Sequence, residues 1–291
     1  MFNTNDNNFV NEYSEEMYRK KVHTRDYIFS LSLKRKLVKN LLKYGLFNSY
    51  LRKKCPYSYG KIDKNANYFS DKRIAIYTGV FGGYDTIYTP QIKPDNVDYF
   101  IFSDEKIDDP VWVYKEVSFP RELGNLSNAE KNRYVKMHPH VLFPDYDYSI
   151  YVDGSIEIIT DFTEFIYCLN EYGFALHKHY ERNCAYSEID ECIAQRKCSV
   201  EELENYRSKL EMEGFPHGFG LLEAPVLVRE HHNSKCIDLM NNWWIEYKNN
   251  IKRDQLALIY LVWKLGISPN ELGTLGDDVH ANYAFIHHSH K

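Results

Sequence analysis

The segment Ser149-Ile-Tyr-Val-Asp-Gly-Ser-Ile-Glu157 runs an apolar strand into Asp153, a glycine and the short polar Ser155. A carboxylate delivered to a sheet edge in this way suits a hard divalent cation that bridges a diphosphate. A strand-ending Asp that caps a turn fits the same residues. Upstream, Gly79-Val-Phe-Gly-Gly-Tyr84 follows the apolar run Arg73–Thr78. Glycines let the backbone approach a ligand closely, and Tyr84 offers a face for stacking a base. The turn has no GK[ST] and no GxGxxG, so it is neither a P-loop nor a dinucleotide fingerprint, and an ordinary tight turn explains it too. Asp254-Gln255 opens a further helix, where an N-cap beside a solvated residue is the plain alternative. Histidines fall in the pairs His138/His140, His177/His179 and His231/His232 and in His287-His-Ser-His290. The pairs two apart put both imidazoles on one strand face, a metal arrangement, although hydrogen-bonded cleft residues fit as well. No HExxH motif supports a metal hydrolase. Cys184, Cys192 and Cys198 with a histidine would make a zinc set, but no CxxC pair or finger spacing occurs.

The apolar pattern supplies elements to hold these residues. Arg73–Thr78, Asp98–Asp104 and Asp147–Asp153 read as strands, the last two stopping at carboxylates. Ser127-x-x-Glu130 is a capping box opening a helix that Pro139 ends, and Asp161-x-x-Glu164 caps another. Phe174–His177 and Leu221–Arg229 are further strands; Lys235–Tyr247 and Asp254–Leu265 are helices. Between them, residues 180–215 form a charged helical insertion, with a capping box at Ser199/Glu202 and a stop at Gly214. Alternating strands and helices predict an α/β fold with a mostly parallel sheet, whose ligands sit beyond the carboxyl ends of the strands. That edge collects Thr78, Gly79, Gly82, Gly83, Asp104 and Asp153.

Charge divides the 291-residue chain. Residues 1–18 carry four acids and no Lys or Arg, and read as disordered. Residues 19–54 hold twelve Lys and Arg against Asp26 alone, while 55–291 carry a net charge of −12. In 30–54, Leu33, Leu37, Leu41 and Tyr44 recur at helical spacing among the cations, and a Tyr-, Asn- and Lys-rich linker follows. The predicted division is a disordered 1–18, a basic helical extension and linker over 19–70, and an α/β body over 71–291. Such a basic amphipathic stretch suits an anionic membrane surface; packing on the acidic body explains the same stripe. An overall charge of −5 speaks against a nucleic-acid partner. The polar start, the free cysteines and the lack of an apolar span predict a cytoplasmic protein, peripheral on the inner face of the plasma membrane if the arm binds lipid.

The motifs also carry a resemblance. Tyr151-Val-Asp-Gly-Ser155 occupies the place of the Asp-x-Asp signature of GT-A glycosyltransferases. With Ile76-Tyr-Thr-Gly-Val-Phe-Gly-Gly-Tyr-Asp85, Asn132-Arg-Tyr-Val-Lys-Met-His-Pro-His140, Lys178-His-Tyr180, Leu227-Val-Arg-Glu-His231 and Arg253-Asp-Gln-Leu256, residues 74–265 resemble a particular glycosyltransferase-like family. It was long catalogued as a domain of unknown function, and has plant mucilage- and turgor-related members and bacterial members near surface-polysaccharide genes. The resemblance implies a GT-A, Rossmann-like fold. Thr78, Gly79, Phe81, Gly82 and Tyr84 then stand as the uridine-binding loop, and Asp104 as a ribose or base contact. Arg133, Lys136, Lys178 and His179 stand as contacts to the donor phosphates or sugar. Asp153, Ser155 and His287 stand as the metal set for Mn²⁺ or Mg²⁺, weakened because Ser155 replaces the second Asp of the signature. Asp254 and Gln255 are similar to the Asp-Gln pair that lies against the donor sugar in glycogenin-like retaining enzymes.

The implied reaction moves a sugar from a nucleoside diphosphate, probed best as UDP, to a hydroxyl of a glycan or lipid-linked glycan in surface or capsular polysaccharide synthesis. Cations must balance the diphosphate, and a polar group must face the anomeric carbon. A retaining course needs no protein base; an inverting one needs a carboxylate, for which Glu188, Asp190 and Asp254 are the candidates. A nucleotide-sugar-binding or membrane-surface scaffold without turnover is the other class of reading.

Overall fold

The computed structural model describes residues 71–282 and 284–288. The expected disordered start, the basic extension with its linker, and His290 lie outside them. In chain order the elements are β1 (Ile74–Val80), β2 (Val97–Ser103), β3 (Val113–Tyr114), α1 (Asn128–Met137), α2 (Pro139–Leu142), β4 (Tyr148–Val152) and β5 (Ile156–Ile158). They continue as β6 (Phe174–Lys178), α3 (Ala185–Ala194), α4 (Val200–Glu213), β7 (Leu222–Glu230), α5 (Ser234–Asn249), α6 (Asp254–Lys264), β8 (Gly273–Thr274) and β9 (Phe285–His287).

Seven strands form the central sheet in the order β3-β2-β1-β4-β7-β6-β8. β7 is antiparallel to both of its neighbours, and every other pairing is parallel. The fold is therefore α/β with a mostly parallel sheet, as the alternation of elements predicts. β1 is buried at all seven residues, as a central parallel strand covered on both faces must be. Because β7 runs backwards, its first residues lie at the edge where β1, β4 and β6 end. β5 and β9 make a separate ribbon whose register sets His287 opposite Ile156. The chain's last described strand thus returns to the loop after Asp153.

α1 packs on β1 and α5, α6 on β7 and α5, and α3 on α4 and α6. The interior is heavily aromatic, and each buried polar tip needs a partner. Tyr77 is fully buried; its hydroxyl accepts from Arg229 Nη2 at 2.7 Å and faces the carbonyls of Val135 and Lys136 at 3.3 Å. Arg229, also fully buried, donates through Nη1 to the Lys136 carbonyl. The last turn of α1 is thereby fastened to two central strands.

Local capping signals differ in outcome. Ser127 and Glu130 form the full capping box of α1, and Pro139 both ends that helix and starts α2. At α4, Ser199 Oγ accepts from the Glu202 N–H at 3.1 Å, but Glu202 Oε1 accepts from the Lys252 N–H at 2.7 Å. That carboxylate ties α4 to the approach of α6 instead of closing a box. Asp161 and Glu164 do not open an α-helix. The segment is a 3-10 helix, Thr163–Cys168, and Asp161 Oδ1 accepts from the Thr163 N–H and hydroxyl. No described helix is long and apolar enough to cross a membrane.

Candidate active site

A cleft of about 890 Å³ opens at the edge where β1, β4 and β6 end. Its walls are the turn after β1, the inner face of α1, the loop after β4, the start of β7, residues 252–255, the insertion and the β9 region.

The glycine turn is shaped by necessity. Gly82 has φ +67°, a conformation that favours glycine, and a Cβ there would displace the Asn128 amide, whose Nδ2 lies 2.0 Å away. Its N–H donates to Asp104 Oδ2 at 2.6 Å, while Asp104 Oδ1 holds Lys131 Nζ at 2.7 Å. Asn132 Nδ2 donates to the Gly79 carbonyl at 2.6 Å, locking turn to helix. Gly79, Phe81, Gly82 and Tyr84 line the cleft, and Tyr84 is 62% exposed. Thr78 and Asp104 do not line it. Thr78 is buried within β1, and the Asp104 carboxylate is engaged in holding the turn. The Asp104 carboxylate thus has a part in positioning the turn.

Glycine is required again after β4. A Cβ on Gly154 would meet Val80 at 2.6 Å and Asp85 Oδ2 at 3.1 Å. The Asp153 N–H donates to the Pro225 carbonyl at 2.8 Å, joining this loop to β7. Asp153 Oδ1 accepts from the Tyr151 hydroxyl at 2.8 Å and lies 3.4 Å from Lys136 Nζ. The same ammonium, 1% exposed, pairs with Asp254 Oδ2 at 2.9 Å, as does Arg133 Nε. Burial alone would raise the Asp254 pKa, but Arg133, Lys136 and Arg253 override it and hold the carboxyl well below the usual range. The start of α6 is fixed by Trp243, whose indole donates to the Asp254 carbonyl at 2.8 Å. Gln255 lines the cleft with its Oε1 accepting from Arg253. Arg133, Lys136, Asp153, Asp254 and Gln255 are thus brought together from three places in the chain.

The insertion side departs further from expectation. Strand alternation turns His177 and His179 inward and Lys178 outward, where its ammonium donates to Asn270 Oδ1 at 2.8 Å. Lys178 is not part of the cleft wall. His179 is, but its Nδ1 accepts the N–H groups of Glu181 and Arg182, so it shapes its own loop. Glu188 is fully buried and pairs with Arg182 at 2.8 Å and Arg253 at 3.0 Å. Burial raises its pKa less than the two guanidiniums lower it. Asp190 is exposed and paired with Arg207. Neither Glu188 nor Asp190 lines the cleft, and Asp254 is clamped by cations, so none of the three is placed to take an acceptor proton.

Glu223 and Asp85 line the cleft without having stood out in the sequence. Glu223 is 4% exposed; burial first, and the charge of Asp278 second, push its carboxyl up to about 8 against the N–H groups of Val279 and Tyr180. A glutamate between Leu222 and Ala224 in an apolar strand reads as an edge residue. Only the reversed direction of β7 brings it to the ligand edge.

The metal sets fare unevenly. Among the described residues no three His, Cys, Asp or Glu side chains converge as ligands. His138 bonds to the Tyr134 carbonyl, His140 to Asn241 and His177 to Asn282. Cys192 donates to Glu188, and Cys184 sits 3.9 Å from His217, which breaks up the suggested zinc set. Asp153, Ser155 and His287 do share the cleft wall, with Ser155 only 2% exposed. One partly exposed carboxylate fits a cation that keeps waters and takes its other ligands from substrate phosphates, as Mg²⁺ does, while the imidazole is a donor better suited to a transition metal.

A family model described as TOD1/MUCI70, glycosyltransferase-like domain, matches residues 50–290. No curated protein matches the chain. Among solved structures, the apo form of the bifunctional glycosyltransferase WbbM is similar at a TM-score of 0.44 and 12% identity over 67% of this chain. The chain corresponds to 38% of that protein's length.

Proposed function

The chain belongs to the TOD1/MUCI70 glycosyltransferase-like family, and from that premise we propose that its cleft transfers a sugar from a UDP-linked donor to a hydroxyl of a glycan or lipid-linked glycan. The observation that carries this reading is the Lys136 ammonium, which links Asp153 at 3.4 Å to Asp254 at 2.9 Å. It places a strand-end carboxylate and the Asp254-Gln255 helix start on one cleft floor beside the glycine turn.

Tyr84 and the backbone of Gly79 to Gly82 receive the uridine. Arg133 and Lys136 set a positive field toward the diphosphate, where charge grows as the glycosidic bond breaks. A Mn²⁺ or Mg²⁺ ion on Asp153, with His287 and Ser155 nearby, would neutralise the same phosphates. Gln255, held by Arg253, presents an amide to the donor sugar, while Asp254 stays ionised to keep Arg133 and Lys136 in place. A retaining course is favoured: Asp254, Glu188 and Asp190 are committed to cations, and Glu223, whose carboxyl is pushed up to about 8, keeps its proton near pH 7 and is not a ready base. The acceptor proton can then pass to the departing diphosphate oxygen.

The test is UDP release by the full chain from UDP-sugars with candidate glycan acceptors, with and without Mn²⁺. Acceptor-dependent release supports the reading; donor binding with no release under any acceptor favours a non-catalytic scaffold. Asp153→Ala is expected to remove metal-supported donor binding, and Ser155→Ala to change it less than threefold. Equal losses in a Mn²⁺ titration of the two variants would reject this ranking.

A further inference from the structure

A continuous series of charged and titratable groups runs beneath the cleft. Asp153 is followed by Lys136 at 3.4 Å, Asp254 at 2.9 Å, Arg253 at 3.9 Å, Glu188 at 3.0 Å, His179 at 3.8 Å and Glu223 at 3.8 Å. The two buried carboxylates inside the series each have a cation within 3.0 Å. Glu223, at its end, does not: among the described residues the basic side chain within 4.0 Å of it is the His179 imidazole, whose Nδ1 is a hydrogen-bond acceptor, and its Oε2 has no hydrogen-bond partner. A buried carboxyl oxygen left unsatisfied is costly. On the wall of a cleft, such an oxygen is a group awaiting a ligand.

The backbone shows which part of a ligand reaches it. Pro225, two residues along β7, accepts the Asp153 N–H at 2.8 Å. Asp153 and the start of β7 therefore adjoin on one cleft wall, so that in the proposed donor site a sugar beyond a diphosphate at Asp153 is within reach of Glu223. Resting on the proposed donor site, we infer that Glu223 reads the transferred sugar by hydrogen-bonding one of its hydroxyl groups, and so sets which donor sugar is accepted. A carboxyl that keeps its proton both donates and accepts, which is the complement of a hydroxyl. The pKa of about 8 keeps most of it neutral near pH 7. The groups facing it are His177 across the β6 ladder, His179, Tyr180 and Arg182 after β6, Glu188 of α3 through His179, and Asp278 and the Val279 N–H before β9. A site built to hydrogen-bond a hydroxyl discriminates strongly, because a sugar lacking it leaves the protein group unpaired.

The test is calorimetric binding of UDP, UDP-glucose, UDP-galactose and UDP-N-acetylglucosamine to the full chain at pH 7 and pH 9. The quantity read is the affinity for the tightest UDP-sugar relative to UDP. Glu223→Ala lowers this ratio at least tenfold and leaves UDP affinity within twofold. Glu223→Gln, which donates and accepts like the protonated acid, keeps the ratio within threefold of wild type at pH 7 and holds it at pH 9. The wild-type ratio falls between the two pH values, since the ionised carboxylate can no longer donate. An unchanged ratio in Glu223→Ala, or a wild-type ratio that follows Glu223→Gln across pH, overturns the inference while the donor site stands. Should Glu223→Ala not fold, the comparison of wild type with Glu223→Gln decides alone. Failure of wild type to bind UDP or any of the sugars overturns the donor site itself, and this inference with it.

Discussion

Lys136 and Asp254 face each other inside the protein, 1% and 4% exposed at the side chain, with Arg133 on the same carboxylate. Removing one partner of such a set leaves buried charge uncompensated, at a cost of about 3–5 kcal/mol. Asp254→Asn is thus expected to lower the unfolding midpoint as well as abolish transfer, and thermal unfolding beside an activity assay checks both. Wild-type stability with lost transfer would instead mark Asp254 as a purely chemical group. Titration follows from burial. Burial lowers His138 and His231 to about 4, while Glu130, though burial opposes it, is held near 2 by Lys248, the Ser127 N–H and Lys252. Groups whose folded pKa is depressed contribute fully above their unfolded values and lose that contribution as pH falls. The melting temperature should therefore decline from about pH 6.5 downward. Glu223 has the opposite sign: its folded pKa lies above 4.5, so its contribution is lost as pH rises toward about 8. Glu223→Gln should raise the melting temperature at pH 8 and leave it nearly unchanged at pH 4.5. Asp153 was legible because an apolar strand stopping at Asp-Gly announces an edge. The Lys136–Asp254 contact was not, since it joins residues 118 apart that no local pattern relates.

At the scale of elements, the site depends on how α1 and the glycine turn are held. Local rules for these were readable in the residue order: Ser127 and Glu130 make their capping box, and the Gly82-Gly83 turn follows β1. Both glycines have positive φ, +67° and +63°, but only at Gly82 would a Cβ collide, with Asn128. Gly82→Ala should weaken UDP binding at least tenfold, and Gly83→Ala by much less, in the same titration. Comparable losses would show that backbone conformation alone, without the α1 contact, shapes the turn. Ser127→Ala should cost about 0.5–2 kcal/mol by removing the cap. Besides the Asp161/Glu164 helix, two local readings failed, one of them for a tertiary reason. Glu202 left its capping partner for the Lys252 N–H, and Lys178 was grouped with inward-facing neighbours although strand alternation turns it away. That alternation was available in the residue order, whereas the destination of Glu202 was not.

For the whole molecule, charge is distributed unevenly: residues 19–54 are strongly basic and the rest of the chain after them is acidic. We propose that residues 30–54 hold the protein on an anionic surface, each cation contributing about 1 kcal/mol or less near the headgroups. Co-sedimentation should show the full chain on anionic liposomes and not neutral ones, and a chain starting at Asp71 on neither. Equal behaviour of the two chains would leave the basic segment for another partner. The mostly parallel sheet followed from alternation, but the strand order and the reversal of β7 did not, and that reversal completes the cleft by carrying Glu223 and Pro225 to the ligand edge. The central claim is that this edge is the nucleotide-sugar site, and the most direct measurement is a crystal structure of the protein with UDP and Mn²⁺. The nucleotide is predicted to lie along the Gly79–Gly82 turn with Tyr84 at the base and the diphosphate beside Asp153. Nucleotide bound at another face of the sheet, or no binding at millimolar UDP, would contradict the account.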